Sequence, residues 1–228
     1  MKAKACVFLL TILAASGSAA DPSKFSSPGD LEAGSGKGVS DPTLYFTQIR
    51  FPLERSPAYL NSQVYRKGGN HGPKGGQCDA ENYSYPWRDN FCETRGWDMA
   101  VCPATKGHQG QDIRPATCKP DVHWAVAVED GIIADIGAYS VTLQSPKGTL
   151  YRYLHLQMDD LAVRRLEPIR KGERIGKVSN HFGGAQTTIH LHFDIKDSVV
   201  YKGVRRSIFV PPYASLVDSY ERLLAEQK

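Results

Sequence analysis

The stretch Ile189-His190-Leu191-His192-Phe193-Asp194-Ile195 constrains this chain more than any other. Its apolar residues alternate strictly, and alternation sends successive side chains to opposite faces of a strand. Ile189, Leu191, Phe193 and Ile195 then face a core, and His190 and His192 stand together on the other side. Two imidazoles on one rigid strand are half of a metal site; a polar outer sheet face would read the same way. Further short β-prone runs at 124–128, 131–136, 139–143, 149–156 and 175–178 are separated by turn residues. Leu216, Val217, Tyr220, Leu223 and Leu224 fall at helical spacing and predict one C-terminal helix. The fold class is mainly β: a compact antiparallel sheet over 105–228 with little helix.

The rest of the chain has a different character. Lys2 and Lys4, an apolar run at 5–15 and the small residues Ser18-Ala19-Ala20 read as a cleavable signal peptide, 1–20. The apolar run is too short to span a bilayer. The chain is therefore expected to be exported, to a periplasm-like compartment, with no membrane span after cleavage. Residues 21–43, rich in Ser, Gly, Asp and Pro, read as a flexible leader. Residues 44–104 carry many aromatics and three cysteines but no clear period, and read as an irregular extension packed on the sheet. Net charge is +4, too small to announce a nucleic-acid binder, and apolar content of 41% rules out wholesale disorder. Cleavage removes Cys6 and leaves Cys78, Cys92, Cys102 and Cys118, which in an exported protein predict two disulfides. Short loops close at least entropic cost, so Cys78–Cys92 and Cys102–Cys118 are the expected pairs. The second would enclose His108 and Asp112 and help hold them.

Those two residues form the next chemical element, His108-Gln109-Gly110-Gln111-Asp112. It offers a nitrogen and a carboxylate around a glycine that lets the backbone bend. With one histidine of the His-x-His pair it makes a three-ligand set, and the spacing does not say whether that histidine is His190 or His192. Nitrogen and oxygen donors of this kind suit Zn2+. A third element, Tyr151-Arg152-Tyr153-Leu154-His155-Leu156, reads as a strand in which His155 shares a face with both tyrosines. Beside a metal, a free imidazole is a natural general base or oxyanion stabiliser. His181 reads as a surface-loop residue, and His71 and His123 receive no role.

In order and spacing, His108-x-Gly110-x-Asp112, Tyr153-Leu154-His155-Leu156 and His190-x-His192-Phe193 resemble the lysostaphin-like (LytM-type) zinc endopeptidases of peptidoglycan. Val126-Ala-Val-Glu-Asp-Gly131 and Lys171-Gly172-Glu173-Arg174-Ile175-Gly176 match supporting pieces of the pattern. The resemblance covers about 105–197. It implies Zn2+ held by His108, Asp112 and His192, with His155 and His190 as the catalytic pair. A metal-activated water would attack the scissile carbonyl of a peptide cross-link, one histidine acting as base and the other as oxyanion stabiliser. The family's usual Pro-containing turn before His-x-His is absent; Asn180-His181-Phe182-Gly183-Gly184-Ala185-Gln186-Thr187-Thr188 stands there instead. An alternative implied by the same resemblance is a non-enzymatic regulator of wall amidases, although such a protein has no chemical need for all five residues. A third possibility keeps the chemistry but takes a secreted protein or peptide toxin as substrate.

Overall fold

The alternating stretch opens the longest strand among the described residues, Leu191–Tyr201. The computed structural model describes residue 21 and residues 23–228; the signal peptide reading and Cys6 lie outside the described residues. The strands in chain order are β1 (Tyr59–Leu60), β2 (Gln111–Arg114), β3 (Trp124–Val126), β4 (Gly131–Ile136), β5 (Ser140–Gln144) and β6 (Leu150–Leu154). They continue as β7 (Pro168–Ile169), β8 (Arg174–Lys177), β9 (His181–Phe182), β10 (Ala185–Gln186), β11 (Leu191–Tyr201) and β12 (Val204–Phe209), and helix α1 (Tyr213–Glu226) follows. The main sheet runs β1-β2-β11-β6-β5-β4-β7, with β12 beside β11, and all its pairings are antiparallel. The predicted mainly antiparallel architecture with one C-terminal helix is the one observed. No described helix is long and apolar enough to cross a membrane.

Register explains which residues meet. Leu191 lies opposite Ile113, Phe193 opposite Tyr153, and Ile195 opposite Tyr151. All six are buried and make one continuous apolar face, each contributing roughly 1.5–3 kcal/mol of apolar burial. The reverse face carries His192 opposite Asp112 and Leu154, and Asp194 opposite Arg152. Beyond Ile195 the strand continues to Tyr201 as a hairpin with β12. No such strand is visible in the sequence there, because Val200 and Val204 are exposed and neither face of the hairpin is buried enough to impose alternation.

Residues 44–104 hold little regular structure: β1 and one 3-10 turn, Ala80–Tyr83. Side chains bonding to backbone order them instead. Trp87 Nε1 donates to Ala58 O at 2.7 Å, Asn82 Nδ2 to Lys67 O at 2.8 Å, and Arg114 Nη1 to Gln77 O at 2.9 Å. The leader is not the loose segment its composition suggests. Phe25 is buried, edge-on to Trp87 at 5.0 Å, and Trp87 lies 4.4 Å from Tyr220 of α1. Gly29 N donates to buried Asp89 at 2.8 Å. One aromatic and one backbone tether hold a Gly/Ser-rich segment without leaving any periodic pattern.

The disulfides also differ from expectation. The bridges are Cys78–Cys118 and Cys92–Cys102. Loop closure separates this pairing from the neighbour pairing by only about 0.5 kcal/mol, so the fold decides. Cys92 N donates to His108 O at 3.0 Å, which brings residue 92 beside the first site element. Cys118 lies past β2, next to Cys78 in the extension.

Candidate metal centre

Asp112 and His192 form a cross-strand pair on β2 and β11, which fixes both on the face away from the core. His108 reaches the same point from the turn leading into β2. That turn presses close on β11: a side chain on Gly110 would fall 2.2 Å from Phe193 O, so only glycine fits. His108 is held on both sides, its N donating to Glu93 O at 2.9 Å and its O accepting from Cys92 N.

Three atoms converge. His108 Nε2 lies 2.9 Å from His192 Nδ1 and 3.2 Å from Asp112 Oδ1; His192 Nδ1 lies 3.1 Å from Asp112 Oδ1. Their surroundings decide which of them carry protons. His108 Nδ1 faces Asn90 O at 2.9 Å, a carbonyl that only accepts, so the ring proton sits on Nδ1 and Nε2 is bare. His192 Nε2 faces Asp194 Oδ2 at 3.1 Å, so the neutral ring keeps its proton on Nε2 and turns the Nδ1 lone pair to the other two atoms. Two nitrogen lone pairs and a carboxylate oxygen thus point at one another in a buried place, an arrangement that calls for a cation. A tetrahedral ion with bonds of about 2.0–2.1 Å has ligand edges of about 3.3–3.4 Å, close to this triangle. The residues fit a metal.

The electrostatics agree. Burial pushes Asp112 up, but the His108 and His190 imidazoles outweigh it and hold the carboxyl well below its ordinary value. Burial pushes His108 down, against the pull of Asp112. His192 is pushed down by burial and more strongly up, to about 9, by its bonds to Asp112 and Asp194, so this ring holds a cation firmly, whether proton or metal. A metal at Nδ1 takes the proton's place there. Arg152 binds Asp194 through Nε at 2.8 Å and Nη2 at 2.7 Å, and so fixes the carboxylate that orients His192.

The other two histidines stand beside this triangle. His190 Nε2 lies 3.4 Å from Asp112 Oδ1, and the His155 and His190 rings are 4.7 Å apart. His155 arrives in a way the alternation does not foresee. β6 ends at Leu154, and His155 takes a left-handed backbone with φ 67°. Tyr151 and Tyr153 stay in the core, whereas the left-handed residue turns its imidazole to the opposite face. Its Nδ1 donates to His181 O at 2.8 Å, and Tyr139 stacks on it at 6.2 Å. Burial pushes His155 down to about 3. His181 belongs to the β9–β10 hairpin, whose turn uses Gly183 and Gly184, both at positive φ. All five residues singled out from the sequence therefore surround one cleft of about 460 Å3. The extension supplies one wall of it, through Gln63, Val64, Arg95 and Trp97. Asn90, Asp194, Arg152 and Gln63 were missed in the sequence. Asp194 alone had a visible signal, being two residues along the same strand face as His192.

Residues 106–204 match the model of Peptidase family M23. The match spans less than half of the chain. Solved structures with a similar course include a protein described as the glycyl-glycine endopeptidase lytM of Ruminococcus gnavus ATCC 29149. It is 17% identical, with 78% of this chain and 63% of that chain covered and a TM-score of 0.47. A protein described as a peptidase M23 of Pseudomonas aeruginosa is 16% identical, with coverages of 84% and 54% and a TM-score of 0.43. The catalytic domain of the antimicrobial peptidase lysostaphin from Staphylococcus simulans is 18% identical, with coverages of 53% and 85% and a TM-score of 0.38. The chain thus spans less than two thirds of the length of the first two. No curated protein matches the sequence.

Proposed function

We propose that this chain is an exported zinc metalloendopeptidase of the M23 type that hydrolyses peptide cross-links of bacterial peptidoglycan. The observation that carries the reading is the convergence of the bare atoms His108 Nε2, Asp112 Oδ1 and His192 Nδ1, with two further imidazoles beside them. The match of 106–204 to a peptidase family model and the LytM-type motif pattern support peptide hydrolysis and the wall as substrate. Two disulfides are consistent with export.

His108, Asp112 and His192 would hold the ion. When bound, zinc supplies a Lewis acid for the scissile carbonyl and acidifies water. The chain's own part is to aim two proton-handling rings. His155 spends Nδ1 on His181 O and His190 spends Nδ1 on Thr188 O at 2.8 Å, so both keep Nε2 free. In the proposed division one ring takes the attacking water's proton. The other steadies the developing oxyanion. Tyr139 and Phe182 shield His155 from solvent on one side, and Trp97, more than half exposed, flanks the open end of the cleft.

The test is the muropeptide profile of purified sacculi incubated with residues 21–228, beside a chelator control and His192→Ala. Loss of cross-linked dimers with matching gain of monomers, abolished by both controls, is the expected result, and fragment masses identify the bond. An unchanged profile from zinc-loaded protein removes the wall substrate and turns attention to an amidase partner.

A further inference from the structure

The turn before His190 departs from the usual family pattern, and the extension grips it at two points. Gln77 Oε1 accepts from Ile189 N at 2.7 Å. Gln63 Oε1 accepts from the Thr188 hydroxyl at 2.7 Å. The second contact bears on His190, whose Nδ1 lies 2.8 Å from Thr188 O and 3.1 Å from Thr188 Oγ1.

The direction of each bond follows from its neighbours. Gln63 Nε2 faces Asn61 O at 3.1 Å, a carbonyl that only accepts, so Gln63 presents its oxygen to Thr188. An amide oxygen cannot donate, so the Thr188 hydroxyl gives its proton to Gln63. The hydroxyl then offers His190 only lone pairs. Without Gln63 the hydroxyl could rotate and donate to Nδ1, which would move the ring proton to Nε2. Asn61 is anchored in turn: its Oδ1 accepts from Arg114 Nε at 3.0 Å, and its Nδ2 donates to Asn82 O at 2.7 Å. Asn61, Gln63, Asn82 and Arg114 are all buried, and water does not compete for these bonds.

We infer that Gln63, through the Thr188 hydroxyl, is a positioning residue that keeps the ring proton of His190 on Nδ1 and leaves Nε2 free to accept a proton. No change in the number of protons is involved, only which nitrogen carries the one present. The inference rests on the proposed function, with His190 as the ring that takes the attacking water's proton, and it gives the extension a part in the chemistry beyond wrapping the sheet.

The test compares Gln63→Ala, Thr188→Val, the double variant and Thr188→Ser in the zinc-loaded chain, with cross-linked muropeptide dimers as substrate. Gln63→Ala should lower kcat about tenfold at unchanged KM, by analogy with other residues that orient site histidines, whereas Thr188→Val, which has no hydroxyl to donate to Nδ1, should keep the wild-type rate. The double variant should recover the rate lost in Gln63→Ala, and Thr188→Ser, which keeps the hydroxyl, should match the wild type. Nitrogen NMR of the His190 ring reads the proton's place directly: shared with Nε2 in Gln63→Ala, and on Nδ1 in the wild type, Thr188→Ser, Thr188→Val and the double variant. A raised KM with kcat intact would make Gln63 a substrate contact and overturn the inference. So would a double variant as slow as Gln63→Ala, or a ring proton that stays on Nδ1 in Gln63→Ala. If the wild-type chain cleaves no muropeptide, the proposed function fails, and the NMR comparison still decides the inference.

Discussion

Asp112 Oδ1 and His192 Nδ1 face each other 3.1 Å apart across neighbouring strands whose opposite faces are buried in the core. The spacing of the pair is therefore set by sheet geometry and not by a loop. The bond from His192 to Asp194, itself clamped by Arg152, sets the ring's rotation.

Asp194→Asn leaves the three converging atoms in place and removes the charge that orients His192. Zinc affinity should fall by about 10–100-fold, the usual cost of losing such a partner. Competition against a chelator of known affinity measures it. His192→Ala should abolish stoichiometric binding in the same assay.

His155 offers a prediction that runs against ordinary intuition. Its backbone is left-handed at φ 67°, where a Cβ is strained and glycine is not. Both His155→Ala and His155→Gly should lose about 100-fold or more in kcat, with zinc content unchanged. His155→Gly should nevertheless be the more stable of the two, by about 1 kcal/mol. Urea melts of the two variants side by side give the order; alanine coming out ahead would refute a left-handed residue 155.

Removing Cys92–Cys102 should loosen the turn that carries His108, because that bridge lies against Gly107 and Cys92 bonds to His108 O. On the loop-entropy model this bridge contributes about 3 kcal/mol and Cys78–Cys118 about 4 kcal/mol. Cys92→Ala/Cys102→Ala should therefore weaken zinc binding more than Cys78→Ala/Cys118→Ala, despite costing less stability. Paired melting and chelator measurements separate the two effects.

Asp89 supplies a pH test away from the cleft. Burial pushes its carboxyl up from the ordinary value to about 6, against three hydrogen-bond donors. The folded state thus holds the proton more tightly than the unfolded chain. Its contribution is fully present below about pH 4 and is lost as pH rises through about 6, on the order of 3 kcal/mol in all. Urea stability at pH 4, 5, 6 and 7 should show a downward leg that Asp89→Asn makes shallower, with Glu93, pushed up to about 7 by burial, supplying the rest of it.

What could be read from the sequence followed from period. Ile189 to Ile195 declared a strand and its two faces because one face had to be buried, and the histidines on the other followed. His108 and Asp112 were legible through the glycine between them. Asn90 and Gln63 were not, since they lie in a segment ordered by single hydrogen bonds that leave no repeat. The position of His155 was hidden by one backbone angle that reverses the alternation of β6. The disulfide pairing was hidden because loop entropy barely distinguishes the choices, and strand order, which does, is a long-range property.

The Cys78–Cys118 bridge closes a covalent ring around His108 and Asp112. Any single proteolytic cut within 79–117 leaves both products on one molecule. Such a nicked chain would run as two pieces only after reduction, and His108 and Asp112 would stay attached to the strand that carries His192.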